Sequence, residues 1–363
     1  MPEDRSASSR RPRLADVAAH VGLSPASVSL VLRGQPGPSQ ETRARVLEAA
    51  KVLGYRADRT ASLLARRRSG LFGLLVDVHS AFHAELVEHV HTAAERAGYD
   101  VVLSTTTRTR PEARAVETLL DFRCEALVLL GPEASAAALE ELDRTVPVVV
   151  VGRRVMPVLV DVVRSADDRG VALAVDHLVA LGHTDIAYLG GDPAPELDFV
   201  TPGQRQHGFE MTMLAHGLAV RPDWLAAADW TLGGGLAVGT ALLDTARRPT
   251  AVFAASDEMA IGVLIAARRL GITVPDDLSV VGVDDHDMAV AFDLTTVRQR
   301  VPEQGAQASR LLLSALHGAN VVDGVVLATE LVVRGSTAAP SASQPSSRTA
   351  QARQVAAMAG NDS

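Results

Sequence analysis

Residues 14–33, LADVAAHVGLSPASVSLVLR, contain two short amphipathic segments separated by a turn. The first segment has apolar residues at helical spacing, which predicts one apolar stripe on a helix: Leu14, Val17, Ala18 and Val21. Gly22 follows directly, and glycine favours the left-handed conformation in which many helices end. Ser24 is suited to cap a second helix, with Pro25 in its first turn, where the missing N–H is not needed. The stretch therefore predicts two helices joined by a tight turn.

The second of these helices has a core side and an outward side. Val28, Val31 and Leu32 share the core side, and the outward positions are Ala26, Ser29, Leu30 and Arg33. Two short helices at this separation form a helix-turn-helix, whose second helix fits the DNA major groove. An ordinary αα-hairpin inside a larger core is the alternative that this pattern leaves open.

Charge is unevenly distributed along the 363 residues. The net charge is -8, yet residues 1–70 hold 13 basic and 6 acidic side chains, against 22 and 37 in the remainder. A basic N-terminal segment, here called the basic head, followed by an acidic remainder is typical of a protein that binds phosphate groups at one end. The single cysteine, Cys124, excludes an internal disulfide, and no apolar run approaches the ~20 residues of a membrane span. We expect an intracellular protein with no membrane partner.

The basic head divides into an arm, a helical headpiece and a hinge. Residues 1–12 lack periodicity and are predicted to be a disordered arm. Residues 13–58 form the headpiece, with a third helix that Ser39 caps and Gly54 ends. Residues 59–70 form a basic hinge that could fold on binding DNA, with Leu63 or Leu64 as a minor-groove wedge. A plain basic linker is the alternative.

From residue 71 onward, short Val/Leu-rich strands alternate with amphipathic helices. The strand-like segments include LFGLLVDV, ALVLLG, VPVVVVG, AVFAAS and LSVVGVDD. Such runs indicate parallel sheets covered on both faces, so the fold class is α/β. Two successive sets of alternating strands and helices predict two doubly wound lobes over residues 71–337, with a cleft between the lobes at the carboxyl ends of the strands. The last pieces, 294–336, are expected to divide between the lobes, and residues 338–363 to form a disordered tail.

With these motifs the chain resembles the LacI/GalR family of transcriptional regulators over about residues 13–337. The motifs occur in the family's order: LADVAAHVGLSPASVSLVLRG, SQETRARVLEAAKVLGYR, TASLLARRRSG, LVALGHTDIAYLGG, RQHGFE, AVFAASDEMAIG, ITVPDDLSVVGVDD and LTTVRQ. The resemblance implies a homodimer with a helix-turn-helix headpiece and a hinge helix. It also implies a core like periplasmic sugar-binding proteins, with an effector site between the lobes.

The resemblance also assigns roles to residues of the headpiece and hinge. Pro25, Ala26 and Leu30 match base-reading positions, and Ala61 and Leu64 match the small residue and the leucine wedge of the hinge. Hydroxyls and arginines suit phosphate oxygens. The predicted DNA contacts are Ser24, Pro25, Ala26, Ser27, Ser29, Leu30, Arg33, Ala61, Leu64, Arg66 and Arg67. A two-fold dimer implies a pseudo-palindromic operator. Arg13 stands where the family usually has a threonine cap, which predicts a weaker start of the first helix.

In the core, the resemblance predicts six effector contacts: Phe82, His83, Arg205, Trp230, Ser256 and Asp284. An arginine suits hydroxyl or anionic groups, and an apolar ring packs against a sugar or base. His83 replaces an aromatic of the family, Ser256 replaces an asparagine, and Ala166 and Asp167 stand where the family has Asp-Asn. The alternatives from pattern alone are that Trp230 belongs to the core and that the acidic segment at Asp284 is a solvated loop.

Other classes of function have weaker sequence support. The chain lacks a G-x-S-x-G elbow and a P-loop, so a doubly wound enzyme is only an alternative. An exported sugar-binding protein would share the core but needs a signal peptide. Glu85 and His89 could suggest a metal, but a third ligand is missing. We therefore predict a cytoplasmic, dimeric transcriptional regulator, a repressor controlled by a small-molecule effector such as a sugar, that needs no cofactor or metal.

Overall fold

The computed structural model describes residues 12–32, 34–55, 68–78, 80–107, 109–191, 201–318, 322 and 324–341. The predicted arm, most of the hinge and most of the tail lie outside these residues. The chain divides into two compact units, Met1–Ser69 and Gly70–Ser363.

Over residues 12–32 and 34–55, the first unit contains three helices around a small apolar core: α1 (Leu14–Val21), α2 (Pro25–Leu32) and α3 (Gln40–Val52). The chain bends by 105° between α1 and α2, the geometry of a helix-turn-helix. The residues buried between the three helices are Val17, Ala18, Val21, Val28, Val31, Val46, Ala49 and Ala50. The predicted apolar stripes thus face one another.

The ends of these helices follow the predicted caps. Gly22 has a φ of 68°, in the left-handed region, and the Ser24 hydroxyl accepts a hydrogen bond from the Ser27 backbone N–H at 3.2 Å. At the start of α1, the carboxylate of Asp16 accepts from the backbone N–H of Arg13 at 2.6 Å. Asp16 therefore satisfies one orphan donor, although Arg13 itself provides no side-chain cap.

The second unit contains twelve strands and nine further helices in the part of the chain that is described. The strands are β1 (Leu71–Asp77), β2 (Asp100–Thr106), β3 (Ala126–Leu130), β4 (Val148–Val151), β5 (Asp161–Ser165), β6 (Ile186–Gly191), β7 (Leu225–Ala228), β8 (Ala251–Ala254), β9 (Ser279–Asp284), β10 (Thr295–Arg298), β11 (Gly324–Leu327) and β12 (Glu330–Val332). The helices are α4 (Ala81–Arg96), α5 (Glu112–Asp121), α6 (Ala136–Thr145), α7 (Asp167–Ala180), α8 (Thr201–Ala215), α9 (Leu232–Leu243), α10 (Asp257–Arg269), α11 (Asp287–Ala291) and α12 (Val301–Leu316).

The strands form two six-stranded sheets with the same topology, β2-β1-β3-β4-β5-β11 and β7-β6-β8-β9-β10-β12. All pairings are parallel except that of β10 with the edge strand β12. Apolar clusters cover both faces of the first sheet, because alternate residues such as Phe72 and Leu75 point to opposite sides. The predicted fold class of two doubly wound lobes is confirmed.

The chain passes three times between the lobes, after β5, after β10 and after β11. The last part of the chain contributes β11 to the first sheet and β12 to the second. In each sheet the first strand along the chain lies between the second and the third, so the strand order reverses there. The reversal falls between β1 and β3 in the first sheet and between β6 and β8 in the second. Ligands of doubly wound folds bind at the carboxyl ends of the strands beside such a reversal.

Three elements were missing from the sequence prediction. Strand β5 has the sequence DVVRS with only two apolar residues, β7 is an edge strand with the alanine-rich sequence LAAA, and α11 has only five residues. Each of them is short and has a composition that does not favour its structure. Tertiary pairing, not local propensity, therefore determines these elements.

The close crossing of α9 and α10 generates the first prediction. A Cβ added at Gly262 would overlap the backbone of α9 at Leu232 and Gly235. Gly262→Ala should therefore lower the free energy of unfolding by about 1–3 kcal/mol, the usual cost of overpacking, in urea denaturation of the full chain.

Gly233→Ala is the matched control, because the nearest atom to its new Cβ is the Thr231 hydroxyl at 3.7 Å. This variant should be neutral or stabilised by about 0.5–1 kcal/mol, as alanine usually is in a helix. Equal effects of the two substitutions would contradict the close helix crossing.

Candidate functional site

Helix α2 presents a surface of small and apolar groups. Ser24, Pro25, Ala26 and Leu30 are exposed, whereas Val28 and Val31 are buried. The Ser24 hydroxyl also lies 2.9 Å from the hydroxyl of Ser27. Few donors therefore remain on this face for base edges, and contacts with thymine methyl groups are better suited to it. Ser27 and Ser29, also predicted as DNA contacts, are half-buried.

The remaining predicted DNA contacts lie outside the described residues: Arg33, Ala61, Leu64, Arg66 and Arg67. Their roles stay predictions from the sequence.

In the second unit, Arg205 forms a buried ion pair at the start of α7. Its Nε donates to Asp167 Oδ1 at 2.9 Å, and both side chains are less than a tenth exposed. Its Nη1 donates to the backbone carbonyl of Ala255, so the guanidinium joins α7, α8 and the end of β8. Burial disfavours the charged guanidinium, but the negative charges of Asp167 and Asp284 have a larger combined effect and raise the pKa of Arg205. Asp167, at a position where the family pattern differs, is thus the direct partner of the predicted effector arginine.

Asp284 lies at the end of β9 with a φ of 121°, and its carboxylate is buried. The Gln299 amide donates to Asp284 Oδ1 at 2.5 Å, and the Ser165 hydroxyl donates to Gln299 Oε1 at 2.6 Å. The Gln304 amide in turn donates to the Ser165 hydroxyl at 3.2 Å. Because Asp284 belongs to the second sheet and Ser165 to the first, this chain of buried hydrogen bonds connects the lobes. Burial raises the pKa of Asp284 well above its ordinary value, against the effect of Arg205.

Ser256 caps α10, because its hydroxyl accepts from the backbone N–H of Met259 at 3.3 Å. The neighbouring Asp257 is completely buried. Its Oδ2 accepts from the backbone N–H groups of Asp285 and His286 at 2.7 and 3.2 Å, and its Oδ1 accepts from a threonine hydroxyl in β10. Burial raises the pKa of Asp257 to about 7. Asp257 therefore holds the loop after β9, whereas the sequence had indicated only its neighbour Ser256.

Trp230 lies in the loop between β7 and α9 with a φ of 63° and is half-buried. Its indole fills the space that a side chain at Gly191 would occupy, and the Arg205 guanidinium lies 6.0 Å from its ring centroid. The glycine at the end of β6 is thus what allows the ring to approach the buried arginine.

Phe82 and His83 begin α4, where the Ser80 hydroxyl accepts from the His83 backbone N–H at 3.3 Å. Their ring centroids are 5.9 Å apart. His83 Nδ1 accepts from the backbone N–H of Asp77 at 3.2 Å. Burial is the main influence on His83 and lowers its pKa. The imidazole is therefore neutral at physiological pH, with its proton on Nε2.

A cavity of about 340 Å³ opens between the lobes at the carboxyl ends of the strands. Of the six predicted effector residues, His83 alone lines it. The lining residues are Leu75, Asp77, His83, Thr106, Thr107, Arg110, Pro111, Glu112, Leu130, Gly131, Glu133, Asp229 and Thr231. The sequence prediction missed the polar members of this set, although several directly follow predicted strands. Asp229 and Thr231 come from the second lobe and flank Trp230, so both lobes contribute to the cavity.

The described residues show neither a cluster of metal ligands nor a single membrane-spanning helix. Within the described ranges, no group of three or more His, Cys, Asp or Glu side chains is arranged to hold a metal ion. Among the same residues, no single helix is long and apolar enough to cross a membrane; α1 and α2 reach that length only together, across their bend.

Comparison with known proteins identifies the family. Residues 13–58 match the bacterial regulatory proteins of the lacI family, and residues 175–337 match the periplasmic binding protein-like domain. The HTH-type transcriptional regulator MalR of Streptomyces coelicolor is 38% identical over 341 residues, which cover 90% of this chain and 96% of MalR. The chain therefore belongs to the lacI family and is a DNA-binding transcriptional regulator.

Two solved structures are similar over most of the chain. The lac repressor dimer bound to operator and the anti-inducer ONPF has a TM-score of 0.76 at 29% identity, and the match covers 91% of this chain and all of that one. The transcriptional regulator CelR in complex with cellobiose has a TM-score of 0.67 at 31% identity, covering 90% and 100% of the two chains. The helix-turn-helix and the two-lobed core therefore occur together in known regulators.

The buried ion pair generates the second prediction. Arg205→Met leaves the Asp167 carboxylate buried without a counter-charge, so the free energy of unfolding should fall by about 3–5 kcal/mol. Arg205→Met with Asp167→Leu should recover most of this loss, because neither charge then remains. Urea denaturation of the full chain measures both.

Arg114→Met is the control, because Arg114 pairs with Glu117 on the surface, with side chains 67% and 60% exposed. This change should cost less than about 1 kcal/mol. The assignment of Arg205 as a structural partner of Asp167 would be wrong if both single substitutions cost the same.

Asp257 generates the third prediction. Because its pKa is raised to about 7 in the folded chain, the folded state binds its proton more tightly than the unfolded state. This contribution to stability is complete below pH 3.8 and is lost as the pH rises to about 7. Asp257→Asn should therefore flatten the decline in unfolding free energy between about pH 4 and 7.

The asparagine introduced by this change can still accept from the backbone amides through its carbonyl oxygen, so the loop keeps its anchor. The exposed Asp121→Asn should retain the wild-type pH slope. An unchanged slope in Asp257→Asn would show that this carboxyl does not titrate as described.

Proposed function

We propose that the protein is a dimeric repressor that releases its operator when a sugar binds between the lobes of the core. The observation that carries the proposal is the polar cavity that both lobes line at the carboxyl ends of their parallel strands. Such clefts are the usual ligand sites of doubly wound folds.

The groups in this cavity are suited to hydroxyls. Carboxylates accept hydrogen bonds from them, and arginine, threonine and neutral histidine donate to them. The relative CelR was solved with cellobiose, a ligand of this chemistry. Trp230 provides an apolar face beside the cavity-lining residues Asp229 and Thr231, a common device for holding a sugar ring.

On the DNA side, we propose that α2 enters the major groove of each half-site, with Ala26 and Leu30 facing the bases. The basic headpiece supplies the salt-dependent part of the affinity. A two-fold dimer then requires a near-palindromic operator. The lac repressor was solved as a dimer on its operator.

Effector and operator binding are coupled, in this proposal, by a shift between two arrangements of the lobes. The hydrogen bonds from Asp284 through Gln299 to Ser165 run beside two of the three chain crossings. A ligand that changes the angle between the lobes must bend these crossings. We infer an intracellular site of action, and a core that binds its ligand without converting it.

The fourth prediction tests both halves of this proposal by footprinting on the DNA that flanks the protein's own gene. The wild type should protect a near-palindromic segment and release it when a neutral sugar is added. Ala26→Asp places a carboxylate against DNA and should weaken operator binding by about 100-fold, since like charges in an interface cost several kcal/mol.

Ala44→Asp is the matched control, the same substitution at an exposed position of α3 in the same headpiece. It should change operator affinity less than about threefold, and neither variant should alter sugar binding by the core. Equal losses in the two variants would overturn the assignment of α2. Recovery of chemically changed sugar would favour the enzyme alternative.

A further inference from the structure

The cavity between the lobes has a strongly unequal set of charges along its described lining. Four carboxylates face it, against one guanidinium: Asp77, Glu112, Glu133, Asp229 and Arg110. These carboxylates come from both lobes. The charge of Glu112 and Glu133 is partly offset by the buried Arg153, whose pKa burial lowers against the effect of these two carboxylates. With four carboxylates against two guanidinium groups, a ligand in the cavity still meets net negative charge.

One nitrogen of the guanidinium in this lining is already engaged by protein groups, whereas its buried Nε has no hydrogen-bond partner among the described residues. Arg110 Nη2 donates to the hydroxyls of Ser104 and Thr118 at 3.2 and 2.7 Å. These contacts hold one side of the guanidinium against β2 and α5. A bidentate clamp on a ligand phosphate, the strongest use of an arginine, would compete with them.

Glu112 has a structural role at the cavity wall. Its two oxygens accept from the backbone N–H groups of Glu133 and Ala134 at 2.6 and 3.2 Å. It therefore holds the loop after β3, so that Glu133 stays at the cavity. Across the cleft, Asp229 Oδ1 accepts from the Thr231 hydroxyl at 2.6 Å. An ionised carboxylate can accept about four hydrogen bonds, so acceptors outnumber donors along the lining.

His83 supplies a neutral donor among these acceptors. Its Nδ1 is occupied by the Asp77 backbone N–H, which leaves the imidazole proton on Nε2. Among the described residues, nothing accepts a hydrogen bond from Nε2. Gly131 leaves the space beside this atom open, since a Cβ added there would contact Nε2 at 3.7 Å. A largely buried donor thus points to a ligand acceptor.

We propose that this cavity selects an uncharged, hydroxyl-rich effector and excludes its phosphorylated form, with His83 Nε2 donating to the ligand and Asp77, Glu133 and Asp229 accepting from it. The inference rests on the proposed function and adds to it the charge of the effector. Each sugar hydroxyl both donates and accepts, so a neutral sugar satisfies both kinds of group. A phosphate dianion offers acceptors only and adds up to two negative charges to a cavity that carboxylates already line.

The state of His83 supports this selection. Burial lowers its pKa, and the opposing effect of Asp77 is smaller. Protonation would bring a positive charge that attracts phosphate, and it would require Nδ1 to lose its hydrogen bond from the Asp77 backbone. A neutral His83 contributes a donor without charge.

The fifth prediction is tested by calorimetric titration of the full chain with matched pairs of ligands. The probes are ribose, glucose, galactose, cellobiose and maltose, each with its phosphate monoester. The tightest-binding neutral sugar should bind at least about tenfold more tightly than its phosphate, because like charges in a binding site cost several kcal/mol.

Glu133→Gln with Asp229→Asn removes two of the negative charges and should reduce this preference at least about fivefold. The matched control is Glu141→Gln with Asp223→Asn, which removes the same charge at side chains 73% and 76% exposed, one in each lobe. The control should keep the wild-type preference, since neither side chain lines the cavity and charges at a distance from a ligand are screened.

The outcomes separate this inference from the function on which it rests. Equal or tighter binding of the phosphates would overturn the charge selection and leave a sugar effector in place. An equal change in both double variants would show that the selection does not arise in this cavity. If no sugar binds, neutral or phosphorylated, the proposed effector class fails and the inference fails with it.

Discussion

The geometry of the core at the base of the cleft depends on the buried ion pair between Arg205 and Asp167. Removing two charges from water is costly, and the loss is offset only when the pair is close and its other hydrogen-bonding groups are satisfied. The structure meets these conditions through the 2.9 Å contact and the carbonyl of Ala255. These contacts bring together the starts of α7 and α8 and the end of β8. The guanidinium therefore supports the base of the cleft, and Trp230 packs beside it.

This arrangement separates two roles among the predicted effector residues. Arg205, Ser256 and Asp284 are buried and already bonded to protein groups, whereas His83 lines the open cavity. Buried networks of satisfied polar groups tend to hold one geometry. In the proposed mechanism, a ligand that contacts His83 meets this fixed base, and its effect passes to the chain crossings through Gln299.

The sequence predicted those features that depend on local pattern. The apolar stripes of α1 and α2, the caps at Ser24 and Ser39 and the Val-rich strands follow from neighbouring residues alone, and the structure confirms them. Strands β5 and β7 depend on partners far along the chain, so propensity could not indicate them. The resemblance supplied the positions of Arg205 and Asp284, but not their partners. Asp167 pairs with Arg205 over 38 residues and Gln299 with Ser165 over 134.

The lining of the cavity likewise depends on pairings between strands that are distant in the sequence. Asp77 ends β1 and Gly131 follows β3, and only the parallel pairing of these strands brings their ends to one edge. Asp229 follows β7, a strand without a sequence signal, and it faces the cleft because β7 pairs with β6. The topology thus fixes where a side chain after each strand must lie, while the loops remain free to change its identity. Proteins that share this fold can therefore bind neutral or charged ligands through different loop residues. Such a change does not require a change in the buried ion pair at the base of the cleft.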